Sequence, residues 1–124
     1  MTATNKELAL AFLSMASNGK AREAFEQYAS PVLRHHNPYF DASAQVLADA
    51  MDENARENPD KSLDVKHVLA DGDLVAVHSH VRMKPGDVGI AVVHLFRIKN
   101  SRIVELWDIG QMVPEQSLNH FGMF

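Results

Sequence analysis

Apolar residues recur at helical spacing over the first half of the chain and alternate over the second, so helices come first and strands follow. Thr4 or Asn5 is placed to cap a helix that runs to about Asn18, with Leu8, Ala11, Phe12 and Met15 along one face and Gly19 ending it. A second helix, roughly Ala21 to Tyr28, sets Ala21, Ala24, Phe25 and Tyr28 against Arg22, Glu23 and Glu26, and Ser30-Pro31 breaks it. Val32 to Asp41 reads as a short extended run with a turn at Asn37-Pro38. Ser43 opens a third helix, Ala44 to Glu57, with Leu47, Ala48, Met51 and Ala55 on its apolar side. Asp49, Asp52, Glu53, Arg56 and Glu57 form its solvated face, and Asn58-Pro59-Asp60 stops it.

From there the period is that of strands: Leu63 to Ala70, a turn at Asp71-Gly72-Asp73, Leu74 to Met83, and a turn at Pro85-Gly86. The last stretch, Gly89 to Gln111, holds two apolar runs around Lys99-Asn100-Ser101-Arg102, the signal for a long antiparallel hairpin. Three polar residues, His94, Asp108 and Gln111, interrupt its apolar surface. A two-residue turn at Asn100-Ser101 pairs His94 with Trp107 and sends Asp108 to the other face. A three-residue turn with Ser101 as a left-handed bulge pairs His94 with Leu106 and puts His94 and Asp108 on one face.

The second register is preferred because its shared face then reads Val88, Ile90, Val92, His94 and Phe96 beside Val104, Leu106, Asp108 and Gly110. That is an apolar wall carrying an imidazole and a carboxylate. Burial raises a carboxyl pKa and a nearby imidazolium lowers it, so the wall can tune an acid/base group. The plainer alternative is a solvated strand-end aspartate and a satisfied core histidine.

Composition narrows the partners. With 124 residues the chain is one domain with one core. A net charge of −4 leaves no basic stripe for nucleic acid or an anionic membrane surface. No cysteine is present, which removes disulfides, thiolate nucleophiles and thiolate metal ligands and suits a reducing cytoplasm. Leu8 to Ala16 is apolar but too short to span a membrane and lacks the positive flank of a signal peptide, so it reads as a helix of the folded protein.

Three other groups of residues carry chemistry. His35 and His36 point to opposite faces of an extended run, so one at most looks into a given pocket, with Asn37, Tyr39 and Asp41 just beyond. His78 and His80 share a strand face, and His67 can join them from the next strand. A metal site there is the weaker reading, because no carboxylate is close in sequence and the pair falls on the face opposite His94. The tail ends in Phe121, Met123 and Phe124, too apolar to hang free in water, and is expected to pack on the body or on a partner.

Helices followed by a mainly antiparallel sheet define an α+β domain. The hairpin is also apolar on its odd positions, Val93, Leu95, Ile103, Trp107 and Ile109, so a second covering is expected from another subunit. At this point RHHNP (34–38), ADGDLVAVHSH (70–80), VVHLFRI (92–98), RIVELWDIGQ (102–111) and the terminal GMF together resemble the SnoaL-like proteins of the nuclear-transport-factor-2-like superfamily. The resemblance implies a cone-shaped fold, a curved sheet around helices with an apolar pocket between, and a homodimer through the outer sheet face. It also implies ring closure by aldol chemistry without metal or cofactor, with Asp108 as acid/base and His94 as its assistant.

The expected function is therefore cofactor-independent proton abstraction next to a carbonyl in a small apolar ligand. Asp108 and His94 are the expected catalytic pair, and His36, Asn37, Tyr39, Gln111 and Trp107 the expected substrate-binding residues. The alternatives are a non-catalytic binding or dimeric interaction module using the same cavity, and a hydrolase or dehydratase in which the pair activates water.

Overall fold

A computed structural model describes residues 3–124. The elements are α1 (Asn5–Ser17), α2 (Ala21–Tyr28), β1 (Ala29–His35), α3 (Ala44–Glu57), β2 (Ser62–Asp71), β3 (Leu74–Arg82), β4 (Ile90–Lys99) and β5 (Arg102–Met112). The strands form one curved sheet in the order β1-β5-β4-β3-β2, antiparallel except for β1 beside β5, and the three helices pack on one face. The α+β expectation holds.

Local chemistry explains the ends of the helices. Thr4 and Glu7 form a capping box at the start of α1, the Thr4 hydroxyl accepting from the Glu7 N–H. The buried side of α1 is Leu8, Ala9, Phe12, Leu13 and Ala16, a broader stripe than the one expected, and Ala11 and Met15 lie at its margin. At the start of α2, Lys20 supplies no side-chain cap. Asp52 of α3 does so instead, accepting the Ala21 N–H at 2.7 Å and the Arg22 N–H at 3.2 Å. Asp52 is thus buried and structural, and the expectation that it belongs to the wet face of α3 is corrected.

The run expected to begin at Val32 begins at Ala29, with Pro31 inside β1. An edge strand tolerates this, because a proline there need donate nothing outward, and the register with β5 shifts between Ala29 and Arg34. In the core, Phe12 meets Phe25 and Phe96 at ring separations of 5.2 and 5.8 Å, tying α1 to α2 and to the middle of β4.

The hairpin corrects the turn expected from the sequence. Its turn is the two-residue kind, with Asn100 and Ser101 both at positive φ (51° and 61°) and Lys99 paired with Arg102. The extra residue lies in β5, where Arg97 pairs with Glu105 and Ile98 with Ile103, so Val104 is bulged. Two consequences follow. Ile103 turns inward and is fully buried, not part of the outer set. Beyond the bulge every side chain changes face, and His94 pairs directly with Asp108, not with Leu106 or Trp107.

Candidate functional site

At one end of the helix layer the sheet and helices part around a cavity of about 360 Å³, a size suited to a small molecule. Leu13 and Ala16 of α1 and Leu47 and Met51 of α3 form one wall, and Leu63, Val81, Ile90 and Val92 form the sheet side. His94 and Asp108, cross-strand partners on β4 and β5, provide polar groups on that sheet side.

Asp108 is held from the β1–α3 loop. Asn37 Nδ2 donates to Asp108 Oδ2 at 3.0 Å, while Asn37 Oδ1 accepts the Tyr39 N–H at 3.0 Å, closing a local turn. His35 stiffens this loop. Its Nδ1 accepts the Asn37 N–H at 3.2 Å, which leaves Nε2–H to donate to the Asp41 carbonyl at 2.7 Å. One carboxylate oxygen is therefore fixed by an amide, and Oδ1 remains for a ligand.

His94 is buried, and burial pushes its pKa down to about 4. The Asp108 charge pulls the other way but is the smaller effect, and the Lys61 charge lowers it further. The ring is neutral at pH 7. Its Nδ1 is enclosed with no hydrogen-bond partner, so Nε2 is the ring nitrogen that meets the cavity. A buried N–H without an acceptor is costlier than an acceptor without a donor, which favours the tautomer with the proton on Nε2. His94 then presents a hydrogen-bond donor to the cavity beside the Asp108 carboxylate.

The other expected residues separate. Tyr39 is exposed, lining a shallow hollow that shares Asn37, Ile90, Val92 and Asp108 with the main cavity, and so stands at its mouth. His36, Trp107 and Gln111 are not cavity residues. Trp107 pairs with Leu95, and Gln111 pairs with Ala91, both on the face opposite Asp108. His36 stacks on Trp107 at 4.9 Å, and its Nε2–H donates to Glu105 Oε2 at 2.7 Å. Their assignment to the cavity is corrected, because Trp107 and Gln111 alternate with Asp108 along β5 and His36 alternates with the buried His35 at the end of β1.

His78 and His80 also lie on the outer face, as their spacing implied. His67 does reach His78, Nδ1 to Nδ1 at 3.0 Å, and Phe124 of the tail stacks on His78 and His80 at 5.6 and 4.2 Å. His80 Nε2 bonds the Val88 carbonyl, and no group of three or more metal-ligating side chains occurs among the described residues.

Two cavity residues carry no sequence signal. Lys61 and Asn54 line the cavity floor between α3 and β2, joined by a 2.7 Å hydrogen bond from Lys61 Nζ to Asn54 Oδ1. Ser79, inward on β3, is buried with its hydroxyl unpartnered, one pleat along from the Val77 that faces His94. No periodicity distinguishes these three from ordinary loop, helix or strand residues.

A curved sheet backed by three helices around a small apolar cavity is a nuclear-transport-factor-2-like fold. A SnoaL-like domain is matched over residues 9–106, and the chain belongs to that family. No curated protein matches the chain. Among solved structures it is similar to an NTF2-like protein of unknown function from Cytophaga hutchinsonii, with 14% identity and TM-score 0.72 over 90% of this chain and 93% of that one. It is likewise similar to AclR, a candidate hydroxylase from Streptomyces galilaeus, with 23% identity and TM-score 0.69 over 85% and 77%. The candidate polyketide cyclase IdmH from Streptomyces antibioticus matches with 19% identity and TM-score 0.69 over 87% and 93%. At these identities the likeness is one of fold.

Proposed function

We propose that the protein is an enzyme of enolisation or aldol type acting on a small apolar carbonyl compound without a cofactor. The observation that carries the reading is the direct pairing of Asp108 with His94 on one wall of an apolar cavity. Asp108 Oδ1 removes the proton next to the carbonyl, Asn37 keeps the carboxylate oriented, and His94 Nε2–H donates to the carbonyl oxygen as it gains charge. A neutral imidazole can fill that last role, since it still carries one N–H donor. The fold's likeness to a candidate polyketide cyclase supports the reading. A second copy of the chain packing on the outer sheet face completes the proposed assembly, in a cytoplasmic setting suited to a cysteine-free chain.

The test is hydrogen–deuterium exchange next to the carbonyl of aryl methyl ketones in D2O, followed by proton NMR. Wild type is expected to accelerate exchange, and Asp108→Asn to reduce the acceleration by roughly a hundredfold or more. Exchange that is indifferent to Asp108→Asn, with ligand affinity equally indifferent, refutes the enzyme reading and leaves a binding module.

A further inference from the structure

Asp108 and His94 account for the sheet side of the cavity, but not for its charged floor. Lys61 follows the Asn58-Pro59-Asp60 turn and immediately precedes β2, and its half-buried side chain lines the same cavity. Among the described residues no carboxylate lies within ion-pair distance of its Nζ, whose assigned partner is the neutral Asn54 oxygen. Of the cations that are paired, Arg22 meets Asp49, Lys66 meets Asp64 and Arg97 meets Asp73, all outside the cavity.

We propose that Lys61 is a specificity-determining residue that binds a carboxylate on the ligand, so that the substrate class is an apolar keto acid and not a neutral ketone. This rests on the enolisation reading for the other end of the site.

Two observations converge on it. An ammonium in an apolar cavity loses hydration that one amide oxygen does not replace, and burial accordingly lowers the Lys61 pKa. An entering anion would restore the missing partner and leave the cation's other protons satisfied. The two ends also share one site. Lys61 and Asp108 line the same cavity, and the Lys61 charge is felt at His94, the cross-strand partner of Asp108. An apolar core such as one aromatic ring fits between them, against apolar side chains from α1, α3 and β4.

The probes are para-acetylbenzoate, its homologues with one and two added methylenes before the carboxylate, and the matching neutral amides. Affinities are measured by calorimetry, and exchange of the acetyl protons by NMR, for wild type, Lys61→Met, Lys61→Arg and Asp108→Asn. Wild type is expected to bind at least one acid about tenfold or more tighter than its amide. Lys61→Met is expected to abolish that preference, and Lys61→Arg to restore part of it. Asp108→Asn is expected to keep the preference while losing exchange, so failure of the enolisation reading shows as unchanged exchange in that variant and leaves the acid preference to be judged separately.

The proposal is overturned if wild type binds no acid better than its amide, or if Lys61→Met retains the preference. It is also overturned if Lys61→Met weakens acid and amide together with a fall in Tm, which marks a structural lysine. An imine between Lys61 and the acetyl carbon, trapped by borohydride, overturns it as well, because the amine is then a nucleophile and not a carboxylate receptor.

Discussion

Acid should destabilise this fold through His94. In the unfolded chain the imidazole has its ordinary pKa near 6.5, and in the folded chain burial holds it near 4. As pH falls below 6.5 the unfolded chain takes up a proton at this position and the folded chain does not, so unfolding gains free energy. The loss of stability grows between about 6.5 and 4 and levels off below, where both states are protonated. At about 1.4 kcal/mol for each pH unit of separation, the whole effect is roughly 3 kcal/mol. His94→Leu removes the titration at similar volume, and the carboxylates common to both proteins cancel in the comparison. Urea unfolding in steps from pH 7.5 to 4 should therefore show the stability difference between wild type and His94→Leu constant above pH 6.5 and moving by roughly 3 kcal/mol against wild type below it. The ring signals of His94 should hold still by NMR down to about pH 5. A stability difference that stays flat, or a His94 ring that titrates near 6.5, refutes the assignment of burial as the dominant influence.

Two further outcomes follow from the packing. Asp52→Ala removes both acceptors from the first turn of α2 and leaves buried N–H groups unmet, at an expected cost of about 2 kcal/mol, with Asp52→Asn costing less because one oxygen remains. Urea midpoints at unchanged m-value measure it, and a loss under about 0.5 kcal/mol contradicts the capping role. If the outer sheet face is a self-association surface, Ile109→Lys, at a site 59% exposed on that face, should turn a sedimenting dimer into a monomer. A wild-type chain already monomeric at tens of micromolar removes that proposal.

The order of elements was legible because each has a strong period or a strong stop. Leu47, Ala48 and Met51 announce α3, and Asn58-Pro59 ends it where the structure does. The shared face of His94 and Asp108 was legible for a subtler reason. Ile103 and Leu106 are both buried, and Asp108 lines the cavity, yet positions 103 and 108 have opposite parity in a regular strand. One residue between them has to be extra. Leu106 and Asp108 alone share parity, so a bulge at Ser101 serves them as well as one at Val104, and it is the burial of Ile103, set by tertiary packing, that selects Val104. Asp52 was misread because a buried carboxylate that caps a different helix has the same local sequence as a solvated one. Lys61 was missed for a similar reason, since its environment is made by α1, α3 and the sheet together, none of them near it in pattern.

On the proposed enolisation reading, the electrostatics of the cavity divide the proton work between Asp108 and His94. A histidine beside an aspartate suggests a base activated by its neighbour, but an imidazole held near pKa 4 is a poor base and is uncharged at neutral pH. Its value is as a donor, and its enclosed Nδ1 favours placing the proton on Nε2. That leaves the Asp108 carboxylate as the group able to accept a proton, with one oxygen already anchored by Asn37. Lys61 contributes to the same division of labour, since its charge helps to keep His94 neutral. A ligand carboxylate seated on Lys61 would offset that charge and so weaken one of the influences holding the imidazole pKa down, though burial, the larger influence, remains. Binding at the floor of the cavity and donor strength at its sheet wall are thereby linked through His94.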